Sequence, residues 1–235
     1  MARIRDQFSR LLRRIFPPKP LPRFPIETAV ATTAKRMVIL GNAPMSMDMS
    51  DYIDASDLVV RFNECQNYGI GTGSKADILC INNFGQPAEE WIKYRTYQKL
   101  PCAGRTREIW LPRSTSLLEH RRTVRDRHFD PTRFRDLGDE LIDSNQLRDK
   151  TVVKFSDELN ARVLAELKAL SLGQFREPST GILAISYILS EQRFDDYRKV
   201  ILGFTFEGWK GHPWSSEKAL VERYIAEGKN LSLTP

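Results

Sequence analysis

Cysteine and histidine are scarce in this chain, with three of each among 235 residues. The cysteines, Cys65, Cys80 and Cys102, are odd in number and nowhere spaced C-x-x-C. That argues against a disulfide framework or a zinc site, and a reducing, cytosolic setting is the simple expectation. No apolar run reaches the eighteen or more residues that a transmembrane helix needs, so none is expected. The basic start is not followed by an apolar stretch with a small-residue cleavage site, so no secretory signal is expected. A G-x-G-x-x-G fingerprint is missing, which excludes a dinucleotide-binding oxidoreductase. There is no convincing D-x-D loop either, since Asp195-Asp196 runs into Tyr197-Arg198 and reads as a solvated turn. No internal repeat is evident.

What is present is enough chain for one large α/β domain. Apolar content is 41% and the net charge is +6, which suits anionic partners such as nucleotides, nucleic acid or an acidic membrane surface. Residues 1–16 read as a basic amphipathic helix. Ile4, Phe8, Leu11, Leu12 and Ile15 fall on one helical face, interleaved with Arg3, Arg5, Arg10, Arg13 and Arg14. Such a helix can lie on an anionic bilayer, giving an enzyme held peripherally at the inner face of the cell membrane, or it can dock on a protein surface. Residues 17–32 are proline-rich and read as a stiff, extended linker.

The folded domain is expected over 33–235. Strand-like runs at 37–40, 58–62, 78–81, 109–111, 152–155 and 200–204 alternate with helix-like stretches at 88–100, 117–127, 156–170, 181–192 and 213–228. That alternation implies a Rossmann-like, helix-sandwiched, mostly parallel sheet, with ligands at the carboxyl ends of the strands. The charge-dense segment 113–150 reads as a helical insertion or lid.

Three constellations carry candidate chemistry. First, a strand runs into Gly41-Asn42-Ala43-Pro44, where glycine lets the backbone approach a ligand. The next two strands also end in asparagine, at Asn63 and Asn82. An amide can donate and accept, which suits ribose hydroxyls and phosphate oxygens, although strand-end asparagines also cap turns. Second, Glu177-Pro178-Ser179-Thr180-Gly181 opens a helix whose N-terminus can attract an anion or simply be capped by serine. Third, a strand ends at Gly203, and Gly211-His212-Pro213-Trp214-Ser215-Ser216-Glu217-Lys218 opens the last helix. Pro213 fits its first position, and His212 is a candidate general base.

Taken in order, these segments resemble the sialyltransferase family of the animal type. VILGNAPMSMDMSDYIDASDLVVRFN…GTGSKADILCIN is similar to its large motif, EPSTGILAISYIL…VILGF to its small motif, and His212 with Glu217 to its last motif. The resemblance spans roughly residues 37–225. It implies a variant glycosyltransferase-A-like fold in a single domain, and an inverting, metal-independent transferase with no cofactor. The donor substrate would be a CMP-activated sialic acid and the acceptor a glycan or glycolipid, with no nucleic acid involved. His212 would be the catalytic base and Glu217 its helper. Asn42, Asn63, Asn82, Ser179, Thr180, Gly181, Gly203 and Lys218 would hold the donor. The family's secretory members join the large and small motifs by a disulfide, but here Arg36 or Met37 and Ser190 or Glu191 stand near those places, as in a bacterial-type enzyme. The short aromatic motif before the last one is reduced to residues 205–211, where Trp209 and Lys210 are the candidate substitutes. A CMP-Kdo transferase on the same fold, or a non-catalytic nucleotide- or polyanion-binding protein, are the alternatives.

Overall fold

The structure is a computed structural model that describes residues 21–24, 34–124, 129–130 and 134–234. The helix expected over 1–16, most of the stretch 17–32, and His128 lie outside the described residues.

Seven strands form a single sheet: β1 (Lys35–Leu40), β2 (Leu58–Phe62), β3 (Ile78–Cys80), β4 (Glu108–Leu111), β5 (Thr151–Lys154), β6 (Tyr197–Leu202) and β7 (Leu231–Leu233). The order is β5-β4-β3-β2-β1-β6-β7 and every neighbouring pair is parallel. The expected α/β sheet is therefore present, and it is fully rather than mostly parallel.

The helices are α1 (Ser50–Asp54), α2 (Gly85–Tyr94), α3 (Thr115–Thr123), α4 (Gly138–Ser144), α5 (Asp157–Leu170), α6 (Thr180–Ser190) and α7 (Trp214–Ala226). Their placement follows from the two-residue period of the strands. Met37, Ile39, Val60, Phe62, Ile78, Trp110 and Ile201 point to one face, where they pack with α5, α6 and α7. Val38, Leu40, Val59 and Val200 meet α1 on the other face, and Leu79, Ile109 and Leu111 meet α2 and α4 beside them. Both faces are covered, so the strands read as unbroken apolar runs.

Three elements were not legible as such. β7 is three residues long, α1 is five, and α4 (GDELIDS) buries only Gly138 and Leu141 of its seven. Within the charge-dense segment, α3 packs on α5 and α4 on α2, so both helices belong to the layers that cover the sheet. Residues 21–24 of the proline-rich stretch also lie on the domain. Phe24 N donates to Asp48 O at 3.0 Å, Asp48 N donates to Pro22 O at 2.8 Å, and the Phe24 and Tyr52 rings meet edge-on. Among the described residues no helix is long and apolar enough to cross a membrane.

The strand order positions the site. The chain builds outward from β1 through β5, then returns to place β6 on the other side of β1. Such a reversal opens a crevice at the carboxyl ends of the two strands. Here Gly41 N bonds Leu202 O at 2.8 Å and Ala43 N bonds Gly203 O at 3.1 Å, drawing the two strand-end loops together. A Cβ on Gly41 would collide with the Gly203 carbonyl, and Gly203 itself has φ +66°. The two glycines are what let the loops meet.

Candidate active site

Two cavities open at this edge, and His212 borders both. The smaller, about 400 Å³, is lined by Gly41, Asn42, Ala43, Pro44, Phe62, Asn63, Ser179, Thr180, Gly181, the 203–207 loop, His212 and Trp214. The larger, about 600 Å³, is lined by Asn82, Phe84, Phe129, Phe134, Trp209, His212 and both signs of charge: Glu64, Glu90, Asp130 and Glu177 against Arg113, Arg121 and Arg176.

His212 is held from three sides. Its Nδ1 lies 2.8 Å from the Glu177 carbonyl oxygen. A carbonyl can only accept, so Nδ1 carries the hydrogen and Nε2 is left as the unprotonated nitrogen. The rings of Trp209 and Trp214 meet the imidazole edge-on, each at 4.8 Å. Burial pushes the imidazole down to about 4; the Glu177 carbonyl opposes that shift and the Arg113 guanidinium adds to it. The α7 helix starts at Trp214 with Pro213 as its N-cap, so Pro213 and His212 each stand one position earlier than expected, His212 one residue ahead of the cap.

The Glu177 carbonyl is itself anchored. The Glu177 carboxylate pairs with Arg113 in a buried, charge-assisted hydrogen bond, and Arg113 Nη2 reaches Pro178 O at 3.3 Å. Arg113 in turn is clamped by the Asn83 amide, which accepts from Arg113 N and donates to Arg113 O, both at 3.0 Å. Arg176 N and Glu177 N both bond Gly211 O, tying this segment to the loop that carries His212. Arg113, Arg176 and Glu177 are the site residues that sequence reasoning missed. Glu177 stood inside a quoted motif without a role, and Arg113 was one arginine among many in a charged segment. The asparagine chosen there was Asn82, whereas its neighbour Asn83 does the clamping.

The start of α6 is built as the motif implied. Ser179 is the N-cap, and its Oγ accepts from Ile182 N at 3.2 Å. Ser179 Oγ and N also donate to Glu217, at 2.6 and 2.7 Å. Gly181 lies against the Phe204 ring, which a Cβ there would strike. Glu217 is 1% exposed and borders neither cavity. Burial outweighs its bonds to Ser179 and raises it to about 7.

The three asparagines are brought to the same edge, and each braces a turn. Asn42 Nδ2 donates to Phe62 O and its Oδ1 accepts from Gln66 N; Asn63 Oδ1 accepts from Asn82 N; Asn82 Oδ1 accepts from Phe84 N. Asn42 and Asn63 line the smaller cavity and Asn82 the larger. Trp209 lines the larger cavity, with the Arg176 guanidinium 5.6 Å from its ring centre. Lys210 and Lys218 line neither; Lys218 lies on the outer side of α7, 3.9 Å from Glu222. Among the described residues, no group of three or more His, Cys, Asp or Glu side chains is placed to hold a metal ion.

No family model matches the chain. It is similar to the urease operon 23 kDa accessory protein of Rhizobium meliloti (strain 1021), with 29% identity over 203 residues, which is 85% of this chain and 93% of that protein. Solved structures it resembles include a mammalian sialyltransferase in complex with Gal-beta-1-3GalNAc-ortho-nitrophenol, at TM-score 0.49 and 15% identity over 96% of this chain and 77% of that one. Another is the sialyltransferase CstII from Campylobacter jejuni in complex with a substrate analogue, cytidine-5'-monophosphate, at TM-score 0.45 and 14% identity over 86% and 80%.

Proposed function

We propose that the chain is an inverting, metal-independent glycosyltransferase that moves an acidic sugar of the sialic acid type from a CMP-activated donor to a glycan hydroxyl. The observation that carries this reading is the position of His212 between two cavities with Nε2 unprotonated. The donor occupies the smaller cavity, where the first-turn N–H groups of α6 and its dipole meet the phosphate or the sugar carboxylate. The acceptor enters the larger one, beside Trp209. His212 Nε2 takes the acceptor hydroxyl's proton as that oxygen attacks the anomeric carbon and CMP leaves with the bonding pair. A nucleoside monophosphate carries less charge than a diphosphate, so a metal is less needed. An imidazole held near 4 is a weak base alone, but an anionic donor beside it favours its protonated form and lifts it toward neutrality.

The roles of the remaining residues follow from their places. Thr180 and Gly181 contact the donor anion, Gly41 and Gly203 let the nucleotide approach the strand ends, and Glu217 acts from beneath by fixing Ser179. The enzyme works in the cytoplasm at the inner membrane face if residues 1–16 form the expected basic helix. That location is tested by deleting those residues and following the membrane fraction.

Calorimetry tests the donor class: CMP binds and UMP, AMP and NAD do not, with EDTA present throughout. A competition between CMP-sialic acid and CMP-Kdo then separates the two donors. His212→Ala lowers transfer by roughly 100- to 10,000-fold while CMP affinity stays within a few-fold, and near-normal turnover by that variant overturns the assignment. The similar Rhizobium protein is named as an accessory protein, which keeps a second, non-catalytic reading of the cavities in play; that reading gains if CMP binds and no CMP-sugar turns over.

A further inference from the structure

Two of the three cysteines meet in space although 37 residues separate them. Cys65 Sγ and Cys102 Sγ are 3.2 Å apart, and both thiols are buried. Neither lies in a strand. Cys65 sits in the turn after β2 with φ +50°, and Cys102 in the turn that precedes β4, where its carbonyl accepts from Arg105 N and Thr106 N. A disulfide has sulfurs about 2.0 Å apart, so closing this pair requires only about 1 Å of movement between two turns. Cys80 is the odd one out. It lies on β3 among the residues of the α5–α7 face, whereas Cys65 and Cys102 pack together in the cluster on the opposite face.

A buried cation stands beside the pair. Arg61 is 1% exposed, and its guanidinium donates to Lys75 O, Thr72 O, Thr72 Oγ1 and Gly73 O. These are all neutral oxygens, and the charge lies within electrostatic reach of Cys65 and Cys102 as well as of Asp54, so it favours a thiolate nearby. The Cys102 thiol is lowered by the hydrogen bond it shares with Cys65, against the opposing effect of burial, and more weakly by Thr106 and Arg61, while Cys65 is pushed up by the same hydrogen bond and by burial. Of the two, Cys102 is the thiol whose surroundings favour loss of the proton, and the 3.2 Å approach places the Cys65 sulfur against it.

We infer that Cys65 and Cys102 form a redox-active dithiol that a small peroxide closes to a disulfide. The Cys102 thiolate attacks hydrogen peroxide, breaking the O–O bond and giving a sulfenic acid and hydroxide. The Cys65 sulfur then attacks that sulfur and expels its oxygen as water once the Cys65 proton is transferred. The protein loses two electrons and two protons, and one peroxide becomes two waters. This goes beyond the proposed function and does not depend on it. Its structural consequence is local: Gln66 and Asn67, just after Cys65, hold Asn42 through its Oδ1 and its carbonyl, so the bond would pin the turn beneath the smaller cavity.

The test uses the full chain, reduced and then treated with stoichiometric hydrogen peroxide while folded. Thiols are counted after alkylation in denaturant, and peptides are mapped by mass. The expected result is loss of two of the three thiols, one linked peptide joining Cys65 to Cys102, and recovery of all three on adding dithiothreitol. Cys80→Ser should give the same linkage, and Cys65→Ser should give no intramolecular bond. Should Cys65→Ser fold poorly, the wild-type and Cys80→Ser maps decide. Three free thiols after oxidation, a linkage to Cys80, or bonds only between molecules would overturn the inference.

Discussion

Two buried carboxyls flank the start of α6, and the protein treats them in opposite ways. Glu177, 8% exposed, meets the guanidinium of Arg113; Glu217, 1% exposed, meets the N–H and hydroxyl of Ser179 with no cation in the contact. The first arrangement keeps a charge and spends it on geometry, because the ion pair fixes the backbone whose carbonyl orients His212. The second needs no charge, because a neutral carboxylic acid can still accept both Ser179 hydrogen bonds on its oxygens and burial favours that neutral form. The difference teaches that the same side chain, a few residues from the same helix end, acts as an electrostatic anchor in one place and as a hydrogen-bonding strut in the other.

The largest expected effect comes from breaking the anchor. Arg113→Met leaves the Glu177 carboxylate buried without its partner, and losing one member of a buried pair costs about 3–5 kcal/mol, read as a lower urea midpoint. In the same variant the imidazole of His212 should titrate higher than in the wild type, because a cation that opposed its protonation is gone and a bare anion remains. NMR of the three histidines reads this directly, and an unchanged His212 would separate the anchor from the imidazole.

The strut should behave differently. Glu217→Ala strands the Ser179 donors and costs about 1–3 kcal/mol, whereas Glu217→Gln keeps an acceptor and should cost little. The pH dependence sharpens the contrast. Glu217 is raised from 4.5 to about 7, so the folded state holds its proton more tightly than the unfolded chain does. Its contribution is complete below 4.5 and is lost as pH climbs through about 7. Thermal melts should therefore show the wild type losing stability relative to Glu217→Gln across that window. His212 runs the other way: lowered from 6.5 to about 4, its contribution is present above 6.5 and lost as pH falls through 4. The smallest effect is expected from Ser179→Ala, about 1 kcal/mol from the lost cap, measured by the same denaturant titration. A much larger loss would mean that Glu217 tolerates no loss of its hydroxyl partner.

How far these features could be read from the sequence depends on whether they are local. The apolar runs of β1 to β4 and β6 stand out because strands covered on both faces are mostly hydrophobic, and the glycine at position 41 and the Ser179 cap announce themselves within a few residues. β7 and α4 are too short or too polar to leave a pattern. Arg113, Asn83 and Glu177 converge only through the sheet order, with 64 residues between the partners of the ion pair, and no local period marks them. The asparagines show the limit of residue-type reasoning. Their amides are suited to ribose or phosphate, and what the structure shows is that each holds a backbone turn.

The sandwich of Trp209, His212 and Trp214 also makes the site its own optical instrument. The chain has four tryptophans; Trp91 and Trp110 are buried in the core, 3% and 0% exposed, while the other two sit against the imidazole. Trp214 lines the smaller cavity and Trp209 the larger, so on the proposed function a nucleotide would change the surroundings of the first and a glycan those of the second. Replacing either indole by phenylalanine leaves one site tryptophan over the background of Trp91 and Trp110, so that a ligand-dependent change in emission can be followed for each compartment separately in unlabelled protein.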